Sequence, residues 1–197
     1  MKPIDRSEVL GLSDYETVRD RFRARIIEEK KRRRVQLGPH ATLLFESRDT
    51  VLLQIQEMLR TERITRPGAV QHEIDTYNES VPGTDELSCT LMIEIVDAAE
   101  REAFLRAAAG LESHVWLISA DGERIQATSK ARDGATPDRT TAVHYLKFAL
   151  PSVLARAWRE ATAGGPSLEL EVDHPAYRAR VALSRETLHE LAEDLRS

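Results

Sequence analysis

The 197 residues of the chain, 41% hydrophobic and 31% charged, have the composition of a globular protein long enough to bury its own core. A formal net charge of −5 argues against a general nucleic-acid-binding protein, because neutralising phosphates requires a basic surface. The single cysteine excludes an intramolecular disulfide framework, and no apolar run approaches the roughly 20 residues that cross a bilayer, so we expect a soluble, cytoplasmic protein.

The first predicted element is a long helix over residues 13–34. Its apolar side chains recur at helical spacing: Tyr15, Val18, Phe22 and Ile26. The helix runs into the charged sequence EEKKRRR, where glutamates precede arginines by four residues, the favourable order for ion pairs along a helix. The two predicted pairs are Glu28–Arg32 and Glu29–Arg33. We interpret this run as a solvated helix end rather than a nucleic-acid contact, because no aromatic side chains alternate with its cations.

A strand, ATLLFE, and two helices are predicted next. Gly38 and Pro39 interrupt the chain before the strand, and Ser47 or Asp49 can cap the helix that follows it. That helix carries one apolar stripe, formed by Val51, Leu52, Ile55, Met58 and Leu59. Pro67 suits the first position of the second helix.

The segment LSCTLMIEIV, residues 87–96, is apolar at nearly every position, which is typical of a central strand covered on both faces. Within it, Cys89 alternates with leucine and isoleucine on one face, so we expect an inert, buried thiol. Asp97 followed by Glu100 forms a capping-box pattern for a helix that Gly110 closes.

Hairpin patterns dominate the second half of the chain. VWLISADGERIQATS predicts a hairpin with Asp121 and Gly122 in its turn, and SLELEVDHPAYRARVAL predicts another around residues 173–176. Between them, KARDGATPDRT predicts a polar loop, TAVHYLKFAL predicts a strand and Pro151 opens a helix. A last helix carries one apolar stripe, formed by Leu188, Leu191 and Leu195.

Intermixed helices and hairpins favour an α+β fold with a central, mostly antiparallel sheet of about six or seven strands and helices packed against it. We expect a single domain over residues 1–197. The weakest point within it would be the polar loop near residues 129–140.

Glu94 and His144 are the candidates for chemistry within the predicted strands. Strand alternation places each on a face otherwise occupied by apolar residues, so both are predicted to be buried. A buried carboxylate needs a cation or hydrogen-bond donors, and the expected partners of Glu94 are Arg48, Arg60 and His144. Either Glu94 or His144 can serve as a general base or metal ligand if the two faces meet. If the contact is structural, Glu94→Ala should destabilise the protein by several kcal/mol.

A polar corner lies where the ATLLFE strand passes into the next helix. It consists of Glu46, Arg48 and Asp49, with Glu57 and Arg60 further along the helix. These side chains and the free N–H groups of the helix can hold an anionic ligand. The alternative is an N-cap with surface ion pairs worth about 0.5 kcal/mol each, which is the commoner arrangement. The corner is still the best local candidate for a ligand site.

The chain lacks the motifs of familiar cofactor and catalytic sites, namely GxGxxG, GxxxxGK[ST], GxSxG and HExxH. One cysteine alone cannot ligate an iron–sulfur cluster, which usually needs about four thiolates. His72 and Asp75 form a metal-like pair on a helix, and we interpret both as solvent-exposed. We therefore predict no metal site, and the sequence identifies no cofactor.

Three segments in this order, FESRDTVLLQIQEMLRTERI, LSCTLMIEI and AVHYLKF, resemble a bacterial family known only as a domain of unknown function. The resemblance spans nearly the whole chain. Genes of that family tend to lie beside those for rubrerythrin and for an iron–sulfur protein like a heterodisulfide-reductase subunit. The resemblance therefore implies a link to peroxide defence or electron transfer, and it supplies no catalytic residues.

Together with this resemblance, the sequence favours a non-catalytic or accessory protein of an oxidative-stress or electron-transfer system. Such a protein would bind a redox partner protein or a small ligand through the polar corner. The alternative is a metal-dependent or acid/base enzyme that uses Glu94 and His144, with Arg48 orienting an anionic substrate. No contact with nucleic acid or membrane is expected, and the sequence leaves self-association open.

Overall fold

The computed structural model describes residues 1–129, 136–161 and 165–196, which contain six α-helices and nine strands. The helices are α1 (Leu12–Arg33), α2 (Arg48–Thr61), α3 (Pro67–Asn78), α4 (Ala98–Ala107), α5 (Ser152–Glu160) and α6 (Arg185–Arg196). The strands are β1 (Arg34–Leu37), β2 (Ala41–Phe45), β3 (Glu86–Ile93), β4 (Val115–Ser119), β5 (Arg124–Gln126), β6 (Thr128–Ser129), β7 (Val143–Ala149), β8 (Leu168–His174) and β9 (Tyr177–Ala182). Within the described residues, none of the helices has the length and apolar composition needed to cross a bilayer.

The strands form two antiparallel sheets. The five-stranded sheet has the order β1-β2-β3-β7-β6, and the four-stranded sheet has the order β5-β4-β8-β9. The predicted α+β fold with antiparallel pairing is confirmed, but the strands divide between two sheets instead of forming one. Alternation along a strand indicates which side chains face inward, whereas the neighbouring strand is chosen by contacts far away in the chain.

The main apolar core joins the inward faces of both sheets. Its fully buried members include Leu43 and Leu91 from the five-stranded sheet, and Leu117 and Leu170 from the four-stranded sheet. Burial of a leucine side chain contributes about 1.5–3 kcal/mol, so this cluster is a large part of the driving force for folding. A second apolar cluster connects α2, α3 and the N-terminal segment through Ile4, Val51, Ile55, Val70 and Ile74.

The other face of the five-stranded sheet is more polar. On β3 the residues between the core positions are Ser88 and Thr90, and their partners on β7 are Lys147 and Tyr145. Opposed residues of antiparallel strands point to the same side of a sheet, so these four side chains lie on one polar face. The segment that follows β2 and the one that follows α3 both contact this face.

Local signals at element ends are largely confirmed. Ser47 caps α2, Asp97 caps α4, and Pro67 is the first residue of α3. Both predicted hairpins are present, as β4–β5 and β8–β9. These signals depend on hydrogen bonds and turns within a few residues, which explains why the sequence alone reveals them.

Some element boundaries differ from the predictions. β3 ends at Ile93 instead of residue 96, and α4 ends at Ala107 instead of Gly110, which has φ 83° and precedes a 3₁₀ helix at residues 111–114. The short strand β1 was not predicted, because four residues carry too little alternation to recognise. Residues 128–129, predicted as the end of the first hairpin, instead form the separate strand β6, which pairs with β7. The proposed division near residues 129–140 lies partly outside the described residues, which omit 130–135.

The basic end of α1 is not solvated throughout, so that part of the prediction is wrong. Arg33 is buried, and its predicted pair with Glu29 forms, with 2.9 Å between Nε and Oε1. Arg32 binds Glu190 of α6 at 2.6 Å instead of pairing with the side chain of Glu28. Docking of α6 against α1 therefore buries the arginine that the sequence placed at an exposed helix end.

Candidate functional site

Glu94 is exposed, and the prediction that it is buried is wrong. Half of its side chain is accessible, and it accepts a short hydrogen bond from the Thr42 hydroxyl and lies 3.5 Å from the guanidinium of Arg34. The reason is that Glu94 lies on the more polar face of the sheet, with Ser88 and Thr90, whereas the alternate residues Ile93 and Ile95 belong to the core. Alternation shows which residues share a face, but it does not show whether other elements cover that face.

His144 is buried, as the alternation on β7 predicts. Its Nε2 lies 3.0 Å from the Thr140 hydroxyl, and its Nδ1 lies 3.9 Å from a carboxylate oxygen of Glu112. Burial lowers the pKa of His144, and the nearby Glu112 carboxylate opposes this shift. The buried imidazole therefore resists protonation.

The structure does not bring Glu94 and His144 together. In the register of β3 with β7, His144 lies opposite Leu91, so these two side chains share the core face of the sheet. Glu94 is three residues beyond Leu91 and projects from the opposite face. Arg48 has other partners: it donates to the Lys2 carbonyl oxygen at 2.9 Å and pairs with Glu8. The three residues assigned to an acid/base site are thus not assembled.

The polar corner is built around the N-terminus of α2. The Ser47 hydroxyl accepts from the Thr50 N–H at 3.2 Å, and the Ser47 N–H donates to the Thr50 hydroxyl at 2.9 Å. Arg48 contacts both carboxylate oxygens of Glu8, at 2.5 and 2.6 Å, and Asp49 binds Arg25 at 2.7 Å. An open cavity of about 580 Å³ borders the corner, but Arg48 and Asp49 at its wall are occupied by Glu8 and Arg25.

The two corner residues further along α2 hold this helix against α1. Glu57 accepts from the Tyr15 hydroxyl at 2.7 Å and from Arg19 at 2.8 and 2.9 Å, and Arg60 binds Glu16 at 2.5 Å. The hydrogen bond from Arg19 lowers the pKa of Glu57. These contacts match the structural alternative, in which the corner stabilises helix packing.

Glu46 differs from the rest of the corner because it points into the protein. Its carboxylate is buried and accepts from the hydroxyls of Thr50 and Thr90, each at 2.5 Å, and from the Gln54 amide at 3.1 Å. All three donors are neutral groups. We call these four residues the Glu46 network; it connects the start of α2 to the polar face of β3. Burial, with the nearby Glu46 carboxylate, raises the pKa of Cys89, as expected for an inert thiol.

A cavity of about 320 Å³ lies on the polar face of the five-stranded sheet, and we call it the sheet pocket. Hydroxyl groups and one ammonium group converge on it, from Ser80, Ser88, Thr128, Ser129, Tyr145 and Lys147. Lys147 is held by Glu86, with 2.6 Å between Nζ and Oε1. The Glu46 network borders the pocket, because Thr90 is next to Ser88 on this face and directly opposite Tyr145.

Ser80 gives the sheet pocket an unusual feature. The residue is 3% exposed, and its hydroxyl has no hydrogen-bond partner within residues 1–129, 136–161 and 165–196. Buried hydroxyls in folded proteins nearly always have a partner, so an orphaned one at a cavity wall indicates a position where a ligand or water can bind.

Sequence reasoning identified Glu46 but missed the sheet pocket. The available signal was the alternation of Ser88 and Thr90 within a strand that is otherwise apolar, together with Tyr145 and Lys147 at alternate positions of β7. For a metal site, the described residues contain no suitable group of three or more histidine, cysteine, aspartate or glutamate side chains.

Comparisons with known proteins identify a family and a similar solved structure. The sequence model of a family described as a protein of unknown function, DUF3501, matches residues 3–195. A crystal structure of a novel protein of unknown function from Burkholderia pseudomallei is 34% identical over 98% of this chain and 100% of that chain, with a TM-score of 0.90. No curated protein sequence matches the chain significantly.

Proposed function

We propose that this chain, which belongs to the DUF3501 family of proteins of unknown function, is a binding protein. Its small polar ligand would occupy the sheet pocket. The unpartnered hydroxyl of Ser80 is the observation that carries this proposal. A ligand that accepts from or donates to this hydroxyl would satisfy a buried group that the protein itself leaves without a partner.

The composition of the sheet pocket supports the same assignment. Its volume is at the lower end of the range for small-molecule sites, and its polar groups come from the three neighbouring strands β3, β7 and β6 and from the segment after α3. Strand pairing holds Ser88 beside Lys147, and the Glu46 network holds Thr90 beside Tyr145. Groups that are positioned before binding lose little conformational entropy when the ligand arrives.

The cellular role that we propose is accessory, within a bacterial oxidative-stress or electron-transfer system in the cytoplasm. Its support is the resemblance to a family whose genes tend to neighbour those for rubrerythrin and for a heterodisulfide-reductase-like iron–sulfur protein. In this role the chain acts as a single domain beside a redox-system protein partner and supplies ligand binding instead of turnover.

A screen of small polar molecules by ligand-observed NMR tests the proposal. Molecules that bind should lose about tenfold or more in affinity to the Lys147→Met variant, which removes the ammonium group from the pocket. Lys31→Met is the matched control, because Lys31 also pairs with one glutamate at 2.6 Å, but on the exposed surface of α1. Binding that is equally strong to both variants, or no binding at all, would contradict the assignment.

A further inference from the structure

A second concave surface lies on the other side of α2 from the sheet. It is a groove of about 500 Å³ between α1, α2 and the N-terminal segment, and we call it the helix groove. Its apolar lining comes from Leu10, Tyr15, Val18, Phe22 and Leu52. Val18 and Phe22 belong to the apolar stripe that the sequence predicts along α1, and both are only partly buried.

The helix groove is held open by polar contacts at its walls. Gln56 of α2 accepts from the Leu10 N–H at 2.7 Å and donates to the Leu10 carbonyl oxygen at 3.3 Å, which fixes the N-terminal segment. Tyr15 donates to Glu57 at 2.7 Å, which fixes α1 against α2. Leu10 nevertheless keeps 40% of its surface exposed. The groove is therefore a formed apolar surface and not a gap between loosely packed helices.

The rim of the helix groove is basic. Arg21 and Arg25 are four residues apart on α1, an arrangement in which like charges repel. Arg25 lies over the Phe22 ring, 5.2 Å from its centroid, and pairs with Asp49. Arg21 is exposed and has no carboxylate partner in the described part of the chain. Glu8 also lines the groove and pairs with Arg48, so the lining carries two arginines and one carboxylate in a chain of net charge −5.

We propose that the helix groove is a docking surface for an acidic segment of a partner protein. Apolar side chains of that segment would cover Leu10, Phe22 and Leu52, and its carboxylates would bind Arg21 and Arg25. Amphipathic segments bind apolar grooves between helices in this way, and opposite charges at the rim select the partner. The proposal is independent of the sheet pocket, which lies on different elements.

Selection from a library of short random peptides displayed on phage tests the docking surface. Enriched peptides should combine aromatic or aliphatic residues with a net negative charge. Synthetic copies, measured by fluorescence anisotropy, should lose about tenfold or more in affinity to Arg21→Glu, because the rim charge is reversed. Leu10→Asp should cause a similar loss by placing a carboxylate in the apolar groove.

Arg23→Glu is the matched control for this experiment. Arg23 is an exposed arginine of the same helix outside the groove, so the same change in net charge should leave affinity within about twofold. Enrichment of neutral or basic peptides, or equal losses for Arg21→Glu and Arg23→Glu, would overturn the proposal. So would a failure to enrich any peptide, or dimerisation in sedimentation that Arg21→Glu abolishes, which would make a second copy the occupant.

Discussion

Two buried carboxylates of this protein are stabilised in different ways. Glu46 accepts hydrogen bonds from two hydroxyls and one amide, all neutral donors. Asp194, at the end of α6, forms a two-pronged contact with the Arg33 guanidinium, with distances of 2.5 and 2.7 Å. Arg33 also lies 2.9 Å from Glu29 and 3.3 Å from Glu190, so one guanidinium serves three carboxylates.

The difference determines how each region should respond to mutation and to pH. Arg33 is the buried cation that three carboxylates share, although Glu190 also pairs with Arg32, and its removal would leave these carboxylates close together with less compensation. The Glu46 network distributes the same task over three weaker donors, so the loss of one leaves two in place. We therefore expect a large loss of stability when the cation of the cluster is removed and a smaller loss when one donor of the network is removed.

The largest expected effect is that of Arg33→Met. This change removes the buried cation and should lower the free energy of unfolding by about 3–5 kcal/mol, measured by urea denaturation. Arg32→Met is the control, since Arg32 is more exposed and its pair with Glu190 should contribute about 0–1 kcal/mol. Similar losses for the two variants would show that Arg33 has no special structural role.

The second prediction concerns the pH dependence of stability. Burial, opposed by Arg33 and reinforced by Glu29 and Glu190, raises the pKa of Asp194 from 3.8 to about 6. Between pH 3.8 and 6 the Asp194 carboxyl is then more protonated in the folded protein than in the unfolded chain. Asp194 therefore adds stability as the pH falls through this range.

Wild type should therefore gain stability relative to Asp194→Asn as the pH falls from 7 to 4, by up to about 3 kcal/mol. Urea denaturation at a series of pH values measures this difference. His144 has a lowered pKa, so its contribution is lost on acidification, but it is present in both proteins and cancels. A constant difference across the pH range would mean that Asp194 is not perturbed.

A smaller effect is expected in the Glu46 network. Thr90→Val keeps the shape of the side chain and removes one donor to a buried carboxylate, which should cost about 1–2 kcal/mol. Thr128→Val provides the comparison, because the Thr128 hydroxyl is exposed and donates to the Lys147 carbonyl oxygen at 3.3 Å. Chemical denaturation should show almost no loss for this control. If both variants were as stable as wild type, the network would contribute little to the fold.

The smallest expected effect is that of Glu94→Ala. The Glu94 side chain is half exposed and its ion pair with Arg34 is long, so the free energy of unfolding should change by less than about 0.5 kcal/mol. If Glu94 were buried, the same change would lower the free energy of unfolding by several kcal/mol. Thermal denaturation of the variant distinguishes the small loss from the large one, and a large loss would mean that Glu94 is buried after all.

The candidate site was only partly predictable from sequence. Glu46 stood out because it ends an apolar strand, but its donor Thr90 lies 44 residues away on another strand. The sheet pocket depends on the pairing of β3 with β7 and β6, which places Ser88 and Lys147 side by side. Single residues can be selected by their local pattern, whereas a pocket is a set of neighbours that only the strand register defines.

The sequence by itself determined the helices, most strands, the caps at Ser47 and Asp97, and the inward orientation of His144. Each of these depends on backbone periodicity or on hydrogen bonds within about four residues. Tertiary structure decided how the strands divide between two sheets, why Glu94 is exposed, and which groups bind Arg33. The pair between Arg33 and Asp194 joins residues 161 positions apart, and it exists only because α6 packs against the end of α1.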